Sequence, residues 1–267
     1  MTTDAQMQDA LAFVNELQQE EQVAITAPTP PSGTPYVELP VGKFDPTTGT
    51  LVDKAEVREL NGFDEEAISK TKTRSMALSV ALDRAVVSIG DSPVSKRELQ
   101  TLTIGDRMEL LLAIRTATWG DEVDLYLKCP LCREDEKITI SLANDVPRRL
   151  LPDKIGGRQT QMELPSGRHA LMNWPSGVVH TQILNGTIET AADLTTAVIA
   201  DCVTEIDGFP MVTDQVARSL GLRDRKALYD HLMKNMPGPT LTETKVTCPS
   251  CGEEINPGLT LGVLFSF

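Results

Sequence analysis

Two short motifs constrain this chain more than anything else in it. Cys129-Pro130-Leu131-Cys132 sits near the middle, Cys248-Pro249-Ser250-Cys251 sits near the end, and together they use four of the five cysteines. A Cys-x-x-Cys turn aims two thiolates at one point, and two such turns supply the four sulfurs of a closed tetrahedral zinc site. Cys129, Cys132, Cys248 and Cys251 are therefore the candidate metal ligands, and one structural Zn per chain is the expected cofactor. A redox dithiol needs only one pair and a thioredoxin-like βαβ setting. Disulfides need an oxidising compartment, and no signal-peptide pattern is read at the start of the chain. An iron–sulfur cluster also takes four cysteines and stays open at this level. A catalytic metal keeps one position free, which four thiolates would close.

The residues flanking each turn read as strands. Val123, Leu125 and Leu127 alternate with Asp124, Tyr126 and Lys128, and Ile138, Ile140 and Leu142 alternate with polar residues on the far side. Period-two alternation across a turn predicts a hairpin. After the second turn, Leu259, Leu261, Val263, Phe265 and Phe267 alternate to the chain end, which predicts a closing strand packed on the core or offered as an edge to a neighbour. The pattern is that of a zinc ribbon whose two knuckles lie far apart in sequence.

Charge narrows the function classes. Lys and Arg number 25 against 38 Asp and Glu, a net charge of −13. Affinity for nucleic acid comes largely from basic side chains on phosphates, so this balance argues against that role and favours a basic partner surface. No apolar run approaches the length of a membrane span, and the expected compartment is the cytoplasm in which the chain is made.

Residues 4–25 predict an amphipathic helix with Leu11, Val14 and Leu17 on one side, followed by a Pro-rich linker over residues 26–35. Either a partner-binding arm or an ordinary extension fits this segment. The body then repeats. Glu38-Leu39-Pro40-Val41-Gly42 returns as Glu163-Leu164-Pro165-Ser166-Gly167, and Asn61-Gly62 as Ser176-Gly177. Ile89-Gly90-Asp91-Ser92-Pro93 resembles Ile206-Asp207-Gly208-Phe209-Pro210, Leu102 to Arg107 resembles Leu220 to Arg225, and Gly120 matches Gly238 ahead of the two knuckles. Landmarks in one order point to an internal duplication.

The expected organisation is an N-terminal helix and linker (1–35), a first repeat with the first knuckle (36–146), a junction (147–161) and a second repeat with the second knuckle (162–267). Each repeat is predicted as a β-hairpin, a helix, a turn at Pro93 or Pro210, a second helix from Asp106 or Asp224, and a knuckle. In the first repeat the first helix starts near Asp64 and carries Met76, Val80 and Val87; in the second it carries Leu194, Val198, Cys202 and Ile206. The fold class is α+β, an internally duplicated, pseudo-twofold pair of hairpin–helices–zinc-knuckle units joined by a split zinc ribbon of four cysteines.

No enzyme is read in the chain. His169, His180 and His231 are the only histidines, and none sits at ligand spacing from a cysteine pair or beside an organised nucleophile. Ile155-Gly156-Gly157-Arg158 is a junction and not a phosphate loop. Asp201 and Glu205 read as a solvated face, Cys202 as core, and the Asp106-Arg107 and Asp224-Arg225 pairs as helix caps with local salt bridges. No catalytic or small-molecule site residue is assigned.

Several stretches together resemble a known family. They are the Glu-Leu-Pro-x-Gly hairpin, Glu59-Leu60-Asn61-Gly62-Phe63-Asp64-Glu65-Glu66, and Leu110 through Trp119-Gly120-Asp121-Glu122 leading into Cys129-Pro130-Leu131-Cys132. These resemble the baseplate hub and hub-assembly subunits encoded in the tail gene clusters of contractile-tailed bacteriophages. The resemblance covers residues 36–145 and, more weakly, the second half, where Ser176-Gly177-Val178-Val179-His180 lacks the acidic pair. It implies a structural protein of the virion tail baseplate, made in the host bacterial cytoplasm, that binds other tail proteins and no nucleic acid, membrane or small-molecule substrate. Two alternatives stand beside it. One is a tail-assembly chaperone absent from the mature virion. The other is a nucleic-acid-binding zinc ribbon, for which Lys128, Arg133 and Lys137 are offset by Glu134, Asp135 and Glu136, and few aromatics offer stacking platforms.

Overall fold

The computed structural model describes residues 36–45, 47–184, 187–210 and 213–265. The helix expected over 4–25, the linker over 26–35 and Phe267 lie outside them. Strands β1 (Val37–Asp45) and β2 (Thr50–Val57) form a hairpin, and β3 (Val86–Ile89) and β4 (Ser92–Pro93) complete a four-stranded antiparallel sheet in chain order. Between β2 and β3 come helices α1 (Gly62–Ser69) and α2 (Arg74–Ala85). After β4 come α3 (Lys96–Thr101), the central helix α4 (Ile104–Trp119), and the hairpin β5 (Glu122–Lys128)–β6 (Asp135–Ser141).

The same order then recurs. A two-residue strand β7 (Arg148–Arg149) leads to β8 (Gln159–Glu163) and β9 (His169–Asn173), then helices α5 (Gly177–Leu184) and α6 (Ala191–Cys202), then β10 (Val203–Ile206) and β11 (Phe209–Pro210). Strands β8 to β11 make a second four-stranded antiparallel sheet, again in chain order. Helices α7 (Asp214–Ser219) and α8 (Leu222–Asn235), strand β12 (Gly238–Pro239), the short hairpin β13 (Val246–Thr247)–β14 (Glu254–Ile255) and helix α9 (Leu261–Leu264) close the chain.

Several elements differ from the sequence reading, each for a local reason. The single helix expected from Asp64 through Val87 is two helices and a strand. Thr71 turns its hydroxyl back onto the Ile68 carbonyl, and Thr73 caps a new helix by accepting from the Met76 amide. Val87 and Ile206, read as the ends of helical stripes, lie on β3 and β10. Pro93 and Pro210 sit on the edge strands β4 and β11, where a missing N–H costs no ladder bond. Where a strand is expected over Leu259–Phe267, Leu261–Leu264 form helix α9, yet Phe265 is fully buried, so the described part of the tail does pack on the core. Arg115 Nε donates to the Leu264 carbonyl at 3.1 Å, and the Trp119 ring meets Phe265 edge-on.

The first Glu-Leu-Pro-x-Gly segment is a bulge inside β1, beyond which the hairpin runs on, whereas the second is itself the hairpin turn. Both nevertheless dock in the same way. The Asp106 carboxylate, with no exposed surface, accepts from the Val41 and Gly42 amides at 2.8 and 3.1 Å. Asp224 accepts from the Ser166 amide at 3.1 Å and from Arg168. The neighbouring arginines match as well: Arg107 Nη1 donates to the Leu99 carbonyl and Arg225 Nη1 to the Ala217 carbonyl. The expected local salt bridges between these Asp-Arg neighbours are therefore corrected. Each side chain instead satisfies buried backbone groups of another element, and only Asp106 also closes a capping box, with Thr103.

Packing does not divide at the sequence boundary. One core holds residues from Leu39 to Val146 together with Leu241, Cys248, Ile255, Leu259, Leu264 and Phe265. The other runs from Leu164 to Leu232 and takes in Val41. The halves meet along a short antiparallel bridge, where Gly177 N donates to the Leu102 carbonyl at 2.7 Å and Ile104 N to the Pro175 carbonyl at 2.8 Å. A Cβ on Gly177 would fall 2.7 Å from Arg107 Cδ, so this approach requires glycine. Arg107 Nε donates to His180 Nδ1 at 3.3 Å. The contact is one-sided, and in this it departs from the expected twofold relation. Helix α5 packs on α3, α2 and α4, whereas the principal partner of α1 is α2 of its own half.

Two measurements check this framework. Asp106→Ala removes the acceptor for three backbone N–H groups, so urea unfolding should show a loss of about 3 kcal/mol or more, with Asp106→Asn falling between. Burial, then the adjacent Arg107, lowers His180 from 6.5 to about 3. A histidine kept neutral in the native state leaves the unfolded chain to bind the extra proton. Stability is therefore intact above pH 6.5 and falls as the pH drops below it, by about 2 kcal/mol at pH 5. Melting curves across this window should flatten in His180→Gln.

Candidate metal centre

The β5–β6 hairpin carries Cys129 and Cys132 in its turn, and the β13–β14 hairpin carries Cys248 and Cys251. The two turns are built alike. Cys129 N donates to the Glu134 carbonyl and Arg133 N to the Cys129 carbonyl, at 3.0 Å each; Cys248 N donates to the Glu253 carbonyl and Gly252 N to the Cys248 carbonyl, at 2.9 Å each. Each chain turns left-handed just after its second cysteine, at Arg133 (φ 66°) and Gly252 (φ 77°). Gly252 takes this conformation freely, while Arg133 holds it against its own Cβ.

These turns bring the four sulfurs together. Cys129 Sγ lies 3.9 Å from Cys251 Sγ, Cys132 Sγ lies 3.8 Å from Cys248 Sγ, and all four fall within 4.8 Å of one another. The cysteines are unbonded, so the disulfide alternative does not describe this structure. A tetrahedral ion with Zn–S bonds of about 2.3 Å sets sulfurs about 3.8 Å apart, so the donor set fits a thiophilic tetrahedral ion. Cys129 and Cys248 are buried, Cys132 is half-buried and Cys251 faces solvent. Cys129 and Cys248 belong to the first core and Cys132 packs against it, while Cys251 leaves the cluster open to solvent on its side.

The electrostatics suit the cluster to a cation. The Cys132 backbone amide, opposed by burial, holds the Cys129 thiol down to about 7. The Cys251 amide acts the same way on Cys248, but burial and the neighbouring sulfurs prevail and push it up to about 12. Cys132 is likewise raised. Four thiolates this close repel one another, and a divalent ion held by them would remove that repulsion as it displaced the protons. Glu136 Oε1 lies 3.5 Å from Cys248 Sγ and adds negative charge, a neighbour that spacing alone does not reveal.

The other residues weighed in the sequence are not brought together. His180 faces Arg107, and His231 Nε2 pairs with Thr160 Oγ1 at 2.9 Å while its Nδ1 meets Asn235. His169 is exposed at the start of β9. Cys202 is buried in the second core, as expected. Asp201 is not a solvated face: it accepts from the Ser176 amide and hydroxyl and ties the start of α5 to the end of α6. Among the described residues, the four cysteines form the one grouping suited to a metal. No helix among them is long and apolar enough to cross a membrane.

The purified chain should carry one metal ion per chain by elemental analysis. Structural zinc in small Cys-ligated domains contributes on the order of 10 kcal/mol of apparent binding free energy, so chelation, or Cys132→Ser with Cys251→Ser, should lower the melting temperature steeply. Half an ion per chain in a dimer would move the site to an interface, and a metal-free chain with an unchanged melt would remove it.

A family model described as T4 bacteriophage base plate protein matches residues 64–261. No curated protein and no solved structure matches the chain.

Proposed function

The chain belongs to the T4 bacteriophage base plate protein family, and from that premise we propose that it is a non-enzymatic structural part of the tail baseplate, in its hub or wedge region, that bridges neighbouring tail subunits. Membership makes it a phage baseplate protein whose partners are other tail proteins. The observation that carries the structural role is the donor set at the knuckles. Cys129, Cys132, Cys248 and Cys251 would close all four positions of a zinc ion, which supplies no reactive site there and acts as scaffold.

The halves, 36–146 and 162–267, are read as duplicated units, with 147–161 as their junction and 1–35 as an arm. The order of strands and helices supports this reading, as do the paired dockings of Asp106 and Asp224, the paired bonds of Arg107 and Arg225, and the left-handed residue after each knuckle. The zinc ribbon is then split, one knuckle per unit. The surroundings of the knuckles support partners other than nucleic acid. Glu134, Asp135, Glu253 and Glu254 border the cluster, and Lys245 is drawn into an ion pair with Glu254.

The deciding experiment is mass spectrometry of purified virions together with antibody labelling of the tail. The chain is expected in the finished particle, at the baseplate. Tails that assemble only when the chain is made, yet do not contain it, would make it an assembly chaperone.

A further inference from the structure

The contact between the two halves is used once within the chain, but its components are present twice. In the used copy, α5 begins against α3 and α4: the Pro175 carbonyl and Gly177 amide bond the Ile104 amide and Leu102 carbonyl, and His180 receives Arg107 Nε. The counterparts of the receiving side are Leu220, Leu222 and Arg225, at the start of α8. The counterparts of the entering side are Leu60, Gly62 and Glu65, at the start of α1. Both sets are held in the same local conformation as the used copy. Asn61 caps α1 by accepting from the Phe63 amide as Ser176 accepts from the Val178 amide, and Arg225 bonds the Ala217 carbonyl as Arg107 bonds that of Leu99.

Leu60, Leu220 and Arg225 pack within their own half, Arg225 Nη2 bonding Ala192 and Thr196 of α6, but Leu222 of the one set and Gly62 and Glu65 of the other stand exposed. Leu222 is 83% exposed, where its counterpart Ile104 is 6% exposed, and Phe63 is 79% exposed. The Gly62 and Leu222 amides and the Leu60 and Leu220 carbonyls bond no described backbone group. Arg225 is nine-tenths buried and its Nη atoms are bonded, but its Nε, which in Arg107 meets His180, donates to no described residue. The position of His180 is taken in α1 by Glu65, an exposed carboxylate followed by exposed Glu66. On the receiving side Arg223 is exposed beside Arg225, while Arg218 and Lys226 are paired with Asp214 and Asp230 of their own helices. The pair is thus complementary in backbone hydrogen bonding and in apolar surface, with Glu65 and Glu66 set to meet Arg223 and the Nε of Arg225. Within one chain the two sets stay unjoined: Phe63 and Leu222 are both exposed, and α1 packs Ile68 against Ala77 and Ala81 of its own half.

We propose that this protein associates head to tail with a second copy of itself, the first turn of α1 in one copy docking at the α7–α8 notch of the next and repeating between chains the joint that α5 makes within one. Glu65 pairs with Arg225, and Phe63 and Leu222 are covered. Such a contact is heterologous, so each added copy leaves one notch and one α1 free, and the series closes as a ring or extends.

The test is sedimentation velocity of the full chain over a concentration series. The wild type is expected to associate with rising concentration. Phe63→Asp, Leu222→Asp and Glu65→Lys each alter an exposed side chain, so their melting curves should match wild type while association weakens by about tenfold or more. Mixing Phe63→Asp with Leu222→Asp should restore a dimer that neither forms alone, because the pair retains one intact α1 and one intact notch. A wild type that stays monomeric throughout, or an association that Phe63→Asp and Leu222→Asp both retain, overturns the proposal. So does a notch that binds only a different tail protein.

Discussion

Residues 129–132 must meet residues 248–251, and much of the structure follows from that requirement. The second knuckle returns to the first half, carrying the segment from β12 to Phe265 into the core built on α4. The return path passes so close to α4 that Gly105 and Gly238 touch backbone to backbone. A Cβ on Gly105 would stand 1.8 Å from the Pro237 carbonyl oxygen, and Gly238 adopts φ 121°, so neither position admits another residue without displacing the chain. Arg148 reinforces the crossing by gripping Glu109 of α4 with two nitrogens, while β7 pairs with β12. Closing so long a loop costs chain entropy that grows only slowly with its length. The tightly packed glycines, the buried Phe265 and four converging sulfurs together offset it.

A second constraint governs each half separately. A carboxylate buried without partners is too costly to persist, so Asp106 and Asp224 are tolerable only because hairpin amides reach them. The two sites solve this differently. Asp106 depends on neutral backbone donors and Thr103, and burial raises its proton affinity. Asp224 adds the charged Arg168, and with the Ser166 contacts this outweighs burial and lowers it. The first docking is therefore an inflexible core feature, and the second is a partly exposed ion pair that solvent screens. This matches the place of each helix, α4 at the centre of the fold and α8 with one side free.

Much of this was legible in the sequence, and the parts that were not have identifiable causes. The sulfur cluster was legible because Cys-x-x-Cys geometry is local and its partners are chemically rare. The β5–β6 hairpin was legible because Val123 to Leu142 alternate cleanly. The break between α1 and α2 was hidden because a Lys-Thr-Lys-Thr stretch carries no glycine or proline, and only the turned-back Thr71 and Thr73 end one helix and start another. The alternation of the tail misled because Leu261 and Leu264 satisfy a single helical turn as well as they do a strand. In the sequence Asp106 and Asp224 look like caps because a cap is visible within four residues, whereas a bond to an amide 58 or 65 residues away is not.

The family describes a protein of an assembly, and the asymmetry of its halves is what an assembly can use. Two equivalent halves related by a true twofold would satisfy each other's surfaces and leave little for a neighbour. Here α5 satisfies the first half, while α1 has turned its last residues onto α2 and left its first turn outward. The exchange of Val179 and His180 for Asp64 and Glu65 goes with this. Val179 is buried, and His180 sits neutral beside Arg107 in a joint that water does not reach. Asp64 is drawn back to Arg58 and Arg84 of its own half, and Glu65 remains in solvent. A buried imidazole that accepts from the Arg107 guanidinium, whose Nη1 bonds the Leu99 carbonyl, suits a permanent joint, because the cation would lose this partner if the halves parted. An exposed carboxylate suits a surface that must stay soluble until a partner arrives. The starts of α1 and α5 thus differ in the way that would separate a contact made once, during folding, from the proposed one made later between molecules.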